Sequence, residues 1–536
     1  MKTHVVSVTS LTLALGLLAA APAAMSQEVQ LDRLGKVEFK VECAAAVQQD
    51  FNRAMALYHS FAWGAAAKAF DAIAQADPSC GMAHWGRAMV MLSNPFVWPA
   101  SLPAAKLDEV AAALDAARSA SLKSEREQAY VEAVTAFVRD HTARDHRTRL
   151  QAFDEAMGAL AQRYPDDREA TILSALVTSA NFDPRDKTYA NQLKAVKLLE
   201  PLFVAQPDHP GVAHYLIHSY DYPPIARHGL AAAKRYAEIA PDAPHALHMP
   251  SHILTRVGYW QESIQANRAS AEAAGPTAFD AHHAFDYMVY AHLQLAQDGA
   301  AAEALRQSLA RPAVDHFGSA YAYAAMPARL RLERSNWQEA AGLALQPGAD
   351  GYPWSKYPQA EAVNAFARGV GAARSGNSEA ANAERSRLIA LRDVAGERKL
   401  AYWVEQIDIQ AEVVRGLAAL ADRKTEEGIA ILATAAERED ATEKHVVTPG
   451  PLLPAREVLA DVLLEAGQGS AALAEFEAVL AKEPNRYRAY LGAMKAARLA
   501  GDAEKARTYA MELIRLGAAA DTPRAELDEA RKIVAN

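Results

Sequence analysis

Counting thirty-four residues on from His214 gives His248, the same step again gives His282, and a third gives His316. From His218 the same count gives His252 and then Asp286. A return of that length limits the chain more than any single motif in it. It requires a supersecondary unit repeated in register, so that equivalent residues fall at equivalent places. Within each pair the two residues stand four apart, which puts them on one face of a helix, one turn above the other. Only seventeen histidines occur in 536 residues, so the gathering in "HYLIHSYD" (His214–Asp221) and "HALHMPSH" (His245–His252) is local.

The punctuation of the unit is clearest near the C-terminus, in Ala460, Gly467, Ala472, Phe476 and Pro484. The next unit repeats it with Gly501 and Ala506, and Ala54, Ala66, Phe70 and Pro78 repeat it near the N-terminus. Small residues let two helices approach closely, and a proline ends the second helix before the next unit begins. Such a hairpin cannot bury its apolar face alone, so neighbours must stack. Alanine is abundant, aromatics are 7% of the chain, and strand-like alternation is scarce, all of which suits an all-α protein. The pattern resembles the tetratricopeptide repeat. That resemblance implies a right-handed α-solenoid with the first helix of each unit lining the concave surface.

The expected organisation follows. Residues 1–26 form an export signal and 27–100 the N-terminal repeats. Residues 101–206 are degenerate repeats with longer helices, 207–347 the histidine-rich repeats and 348–442 further helical repeats. A C-terminal repeat pair occupies 443–536. Irregular loops are expected at 348–358 and 443–454, the second separating the last pair from the main array. Beyond Pro312 the frame slips, because one first helix runs on to about Arg334.

The paired histidines predict a two-column ladder of imidazoles in the groove. Core packing asks for small apolar residues there, not for polar groups that must be satisfied. Three readings fit. One is a transition-metal site for zinc, copper or iron, with candidate ligands His214, His218, His248, His252, His282, His283 and Asp286. Another is a polar groove gripping an anionic or peptide ligand. The last is a structural hydrogen-bond network. By the repeat resemblance His245, Asp221, Tyr222, Arg256 and Tyr290 point into the same groove. Tyr287 and His316 are further candidates to touch a ligand, or to pack, and Asp221 could support an imidazole N–H. His59 could face the groove or pack a repeat interface. "HYLIH" lacks the glutamate of a zinc-peptidase helix. The chain has no nucleophile elbow, no phosphate loop and no spaced cysteine pair for zinc or haem. Whether it is an enzyme stays open at this point.

Lys2, the apolar run from Val5 to Ala21 and the small residues after it read as a cleavable export signal, cut after Ala23 or Ser26. An uncleaved anchor is the alternative. No later stretch is apolar enough to span a bilayer. An exported, periplasmic location is expected, and there Cys43 and Cys80 could pair as a disulfide or remain two buried thiols. The net charge of −9 shows no basic stripe, which argues against a nucleic-acid partner. A protein or peptide partner in the concave groove remains open. More narrowly, the chain resembles a group of exported bacterial repeat proteins. The resemblance is carried by "DPSCGMAHWGRAM" (Asp77–Met89), "HYLIHSYDYP" (His214–Pro223) and "APHALHMPSHILTRVGYWQES" (Ala243–Ser263). It implies the fold and an envelope location, and no activity. Scaffold repeats grip partners with Lys, Arg and Asn clamps, and this groove departs from that in using histidine.

Overall fold

The computed structural model describes residues 1–2 and 31–535, so the expected signal segment lies almost wholly outside the described residues. Among the described residues there are helices and short 3₁₀ turns and no strand. Consecutive helices pack as antiparallel hairpins and the hairpins stack, giving a tetratricopeptide-like α-solenoid. No helix among them is long and apolar enough to cross a membrane.

The packing rule is visible at both ends. In the repeat that follows Phe70, Gly86 sits where a Cβ would come within 2.3 Å of the Phe70 ring. In the repeat that follows Phe476, Gly492 sits where a Cβ would come within 2.1 Å of that ring. Both phenylalanines are fully buried. The aromatic residue of one repeat thus fills the gap left by the missing side chain of the next, and this lets the stacked helices touch.

Residues 101–206 are helical throughout most of their length, with long helices such as Ala104–Ala120 and His146–Arg163. The first helix after the frame slip is Phe317–Leu332. Trp260 and Trp337 each open a second helix, the latter only five residues long. The stretches 348–357 and 441–454 hold no α-helix. Cys43 and Cys80 form a disulfide that ties the extended N-terminal segment to the start of the helix Gly81–Leu92. On the loop 443–454 the structure differs from the sequence expectation. The loop interrupts the helices but does not set the last repeats apart. Asn485 donates to the Gly258 carbonyl (3.0 Å) and Trp260 Nε1 donates to the Asn485 carbonyl (2.8 Å). Arg524 pairs with Asp298 at 2.6 Å. The C-terminal repeats therefore lie back against the middle of the array.

Gly86→Ala should lower the thermal midpoint, by the equivalent of about 1–3 kcal/mol, because a packed ring must move. Gly64, in the exposed first turn of the helix Trp63–Ala76, has no atom within 4 Å of its would-be Cβ. Gly64→Ala should leave the midpoint unchanged or raise it by about 0.5–1 kcal/mol. Calorimetry on the two variants checks the pair.

Candidate metal centre

Three first helices carry the histidines: Pro210–Tyr220, the kinked pair Pro244–His248 and Pro250–Arg256, and Phe279–Gln294. Proline sets the first turn of the first two, and Pro250 interrupts the ladder of the second. Pro244 follows Pro210 by 34 residues, but Phe279 follows Pro244 by 35. The extra residue lies in the connector 274–278, one longer than the connectors 206–209 and 240–243. One residue turns a helix by about 100°. Counted from each helix start, the equivalent residues are His214 and His218, His248 and His252, then His283 and Tyr287.

This corrects the place of three candidates. His282 is turned out of the ladder, bonded through Nδ1 to Ser308 (2.9 Å) and through Nε2 to the Tyr323 hydroxyl (2.9 Å). Asp286 is buried against Arg329, with Oδ1 2.8 Å from its Nε. His316 accepts from the Gly318 N–H as an N-cap and stacks on Phe279 at 3.9 Å.

The remaining histidines form two adjacent triads. In each, one ligand atom per residue falls within 4.8 Å of the others: His248, His252 and His283 in one, His214, His218 and His245 in the other. All are buried except His245, which is half-buried. In the first triad hydrogen bonds settle the tautomers of His248 and His252. Asn267 Nδ2 donates to the Ser263 carbonyl, so its Oδ1 accepts from His248 Nδ1–H at 2.6 Å. Asp221 accepts from His252 Nδ1–H at 2.8 Å. Burial raises the pKa of Asp221, yet Lys444 and Arg256 hold it well below the usual carboxylate range. It is therefore ionised and only accepts. The two Nε2 atoms left over are 3.1 Å apart, each presenting a lone pair. His283 completes the group with its ring 4.4 Å from that of His248, and its Nδ1 has no hydrogen-bond partner. Tyr287 stands against all three rings at 4.8–5.4 Å.

Burial pushes His214, His218, His245, His248 and His283 well below the ordinary imidazole pKa, and neighbouring histidines push the same way. His252 is also lowered by burial, against the pull of Asp221. The rings are neutral near pH 7, the form that ligates metals. Imidazole nitrogens at about 2.0–2.1 Å from a tetrahedral ion stand about 3.3 Å apart. The donor set and its spacing therefore fit a transition metal.

The groove is closed from within. Residues 443–451 run across the histidine-bearing helices. Lys444 Nζ reaches Asp221 at 3.0 Å, and the Tyr287 hydroxyl donates to the Thr448 carbonyl at 3.2 Å. Arg329 donates to Thr448 Oγ1 and to the Gly450 carbonyl. Arg256 pairs with Asp221 at 2.8 Å. Tyr290 lies beneath Gly450, and Tyr222 packs on Tyr189 with ring centroids 5.1 Å apart. Lys444 and Phe96, which stacks on His218 at 3.9 Å, belong to the site although neither stands out in the sequence. Glu169 is a third omission: it bridges His59 (3.0 Å) and His209 (2.6 Å). It lies in the first turn of the helix Arg168–Ala180, and only the tertiary fold buries it.

No protein-family model matches the chain, and no curated protein matches it. Among solved structures it is similar to yeast Tom70, at 10% identity over 91% of this chain and 87% of that one, with a TM-score of 0.27. It is similar also to the Cut9–Hcn1 hetero-tetramer of the APC/C, at 9% identity over 92% and 96%, with a TM-score of 0.29. At such scores the packing of the hairpins, and not these likenesses, defines the fold.

In chelator-treated protein the histidines take up protons more readily unfolded than folded. Their contribution to stability is full above about pH 6.5 and is lost as pH falls below it, at up to about 1.4 kcal/mol per histidine per pH unit. The thermal midpoint, measured from pH 8 to pH 5, should hold level and then drop steeply below about 6.5.

Proposed function

We propose that this chain is an exported repeat protein that holds a transition metal, zinc, copper or iron, in its interior on His248, His252 and His283. The contact between His248 Nε2 and His252 Nε2 carries the reading. Both Nδ1 atoms are committed to Asn267 and Asp221, so neither Nε2 of the neutral rings has a proton to donate across their 3.1 Å separation. Two lone pairs at that distance repel, and a shared cation turns the repulsion into binding. Three imidazoles leave a tetrahedral ion's fourth position to water or an outside ligand, which is the arrangement of catalytic zinc sites and not of closed structural ones. The apolar N-terminal run, the resemblance to exported repeat proteins and the Cys43–Cys80 bond support a periplasmic location.

A second reading is a scaffold that grips an extended peptide in the groove without metal. The lie of residues 443–451 across the first helices supports it in one respect, because an irregular segment of chain already packs against this surface. A partner would have to displace that segment or use another face.

Elemental analysis of mature protein, purified from the periplasm without a histidine tag, separates the two. About one or two equivalents of one transition metal are expected, with loss in His248→Ala/His252→Ala protein of unchanged circular dichroism. No metal in the purified protein, and no uptake on reconstitution, would overturn the metal reading. Recovery of a partner by metal-free protein would then support the scaffold.

A further inference from the structure

We infer that His214, His218 and His245 hold a second ion, and that the two triads together form a two-metal centre for copper(I). The inference rests on the metal reading of the first triad and extends it. His214 Nδ1 donates to the His59 carbonyl at 2.7 Å, so its Nε2 is a bare lone pair, 3.1 Å from His245 Nε2. The separation is that of His248 Nε2 and His252 Nε2, but here only the His214 tautomer is fixed, so in the metal-free protein His245 Nε2–H donates to His214 Nε2 and coordination displaces that proton to His245 Nδ1. His218 is 4% exposed, and neither of its ring nitrogens has a hydrogen-bond partner. A buried imidazole with both nitrogens unmatched costs free energy, and coordination removes that cost. The Phe96 ring lies over it at 3.9 Å, 20° from parallel, and fixes its plane.

Behind His214 stands a second layer of buried contacts. His59, whose carbonyl fixes the His214 tautomer, is held through its ring by Glu169 and the Tyr215 hydroxyl. The triads are neighbours, with the rings of His218 and His252 5.8 Å apart and those of His245 and His248 6.2 Å apart. A cavity of about 50 Å³ ends on His218, lined also by Phe96, Phe182, Tyr222, Lys444 and His445. A water needs only about 10–15 Å³, so the cavity admits a small ligand to this side of the centre.

Charge selects the metal. The six donors are neutral imidazoles. The nearby carboxylates are already matched: Asp221 by Arg256 and Lys444, Asp286 by Arg329, and Glu443, which lines the same cavity, by Lys187 and the Tyr189 hydroxyl. Nothing in the ligand set offsets the charge of a bound ion. The cost of burying an ion grows with the square of its charge, so two monovalent ions cost about a quarter of what two divalent ions cost. Among metals that favour imidazole, copper is the one with a stable monovalent state.

The test is an anaerobic titration of the metal-free full chain with copper(I), against a competing colorimetric chelator. About two equivalents should be withheld from the chelator by the native protein. About one should remain in His218→Gln/His245→Gln and about one in His248→Gln/His283→Gln, each checked for native circular dichroism. A single equivalent in native protein, lost only with His248 and His283, would overturn the second site and leave the first reading standing. No uptake of copper(I), zinc(II) or iron(II) would sink both. Retention of zinc(II) against equimolar copper(I) would overturn the choice of metal. X-ray absorption at the copper edge of the unmodified protein needs no variant: a shell of imidazole nitrogens alone is expected, and sulfur in that shell would overturn the assignment.

Discussion

The buried Asp221 carboxylate holds the site together. It receives His252 Nδ1–H, the Arg256 guanidinium and the Lys444 ammonium. Asp221 caps the first helix of one repeat, His252 and Arg256 share the first helix of the next, and Lys444 lies 223 residues beyond Asp221. Two cations and one anion out of water are costly unless each is well paired. The geometry at Asp221 therefore fixes where the returning segment must lie. It also fixes the His252 tautomer, and through that the direction of its lone pair. The histidine-bearing helices are thus covered by their own chain.

Much of the fold is legible in the sequence because the repeat is written in small residues, aromatics and prolines whose roles are local. Ala54, Phe70 and Pro78 announce a hairpin before any tertiary contact is known. The long helices of residues 101–206, the tryptophans that open second helices and the two irregular loops follow from the same local signals. The candidate site is legible only in part. The 34-residue count correctly groups His214, His218, His248 and His252, because their helices start 34 residues apart. It fails at the third helix, where one extra connector residue rotates His283 and Tyr287 inward and His282 and Asp286 away. A register set by number cannot see an insertion that leaves every motif intact.

What the sequence could not show is long-range. Phe96 reaches His218 from a loop before the fourth helix of the array, and Lys444 reaches Asp221 from near the far end. Neither is within a repeat's length of its partner. Glu169 carries no motif, and its meaning lies in the two histidines it joins. The polar network beneath the triads is therefore a product of the way the superhelix closes. The repeats alone determine the shape of the tube and leave its contents open.

The return of the C-terminal repeats onto Gly258, Trp260 and Asp298 changes how such a molecule comes apart. In an open solenoid each repeat touches only its neighbours, and unfolding can begin at a free end and travel inward. Here the last repeats are fastened to the middle, so fraying at that end must first break contacts spanning more than two hundred residues. Those contacts form late, since loop closure over such distances is slow to be rewarded. The topology is thus a locally contacting array fastened by a long-range latch. The histidine cluster is covered in the same manner, by a segment that reaches it from 223 residues beyond Asp221.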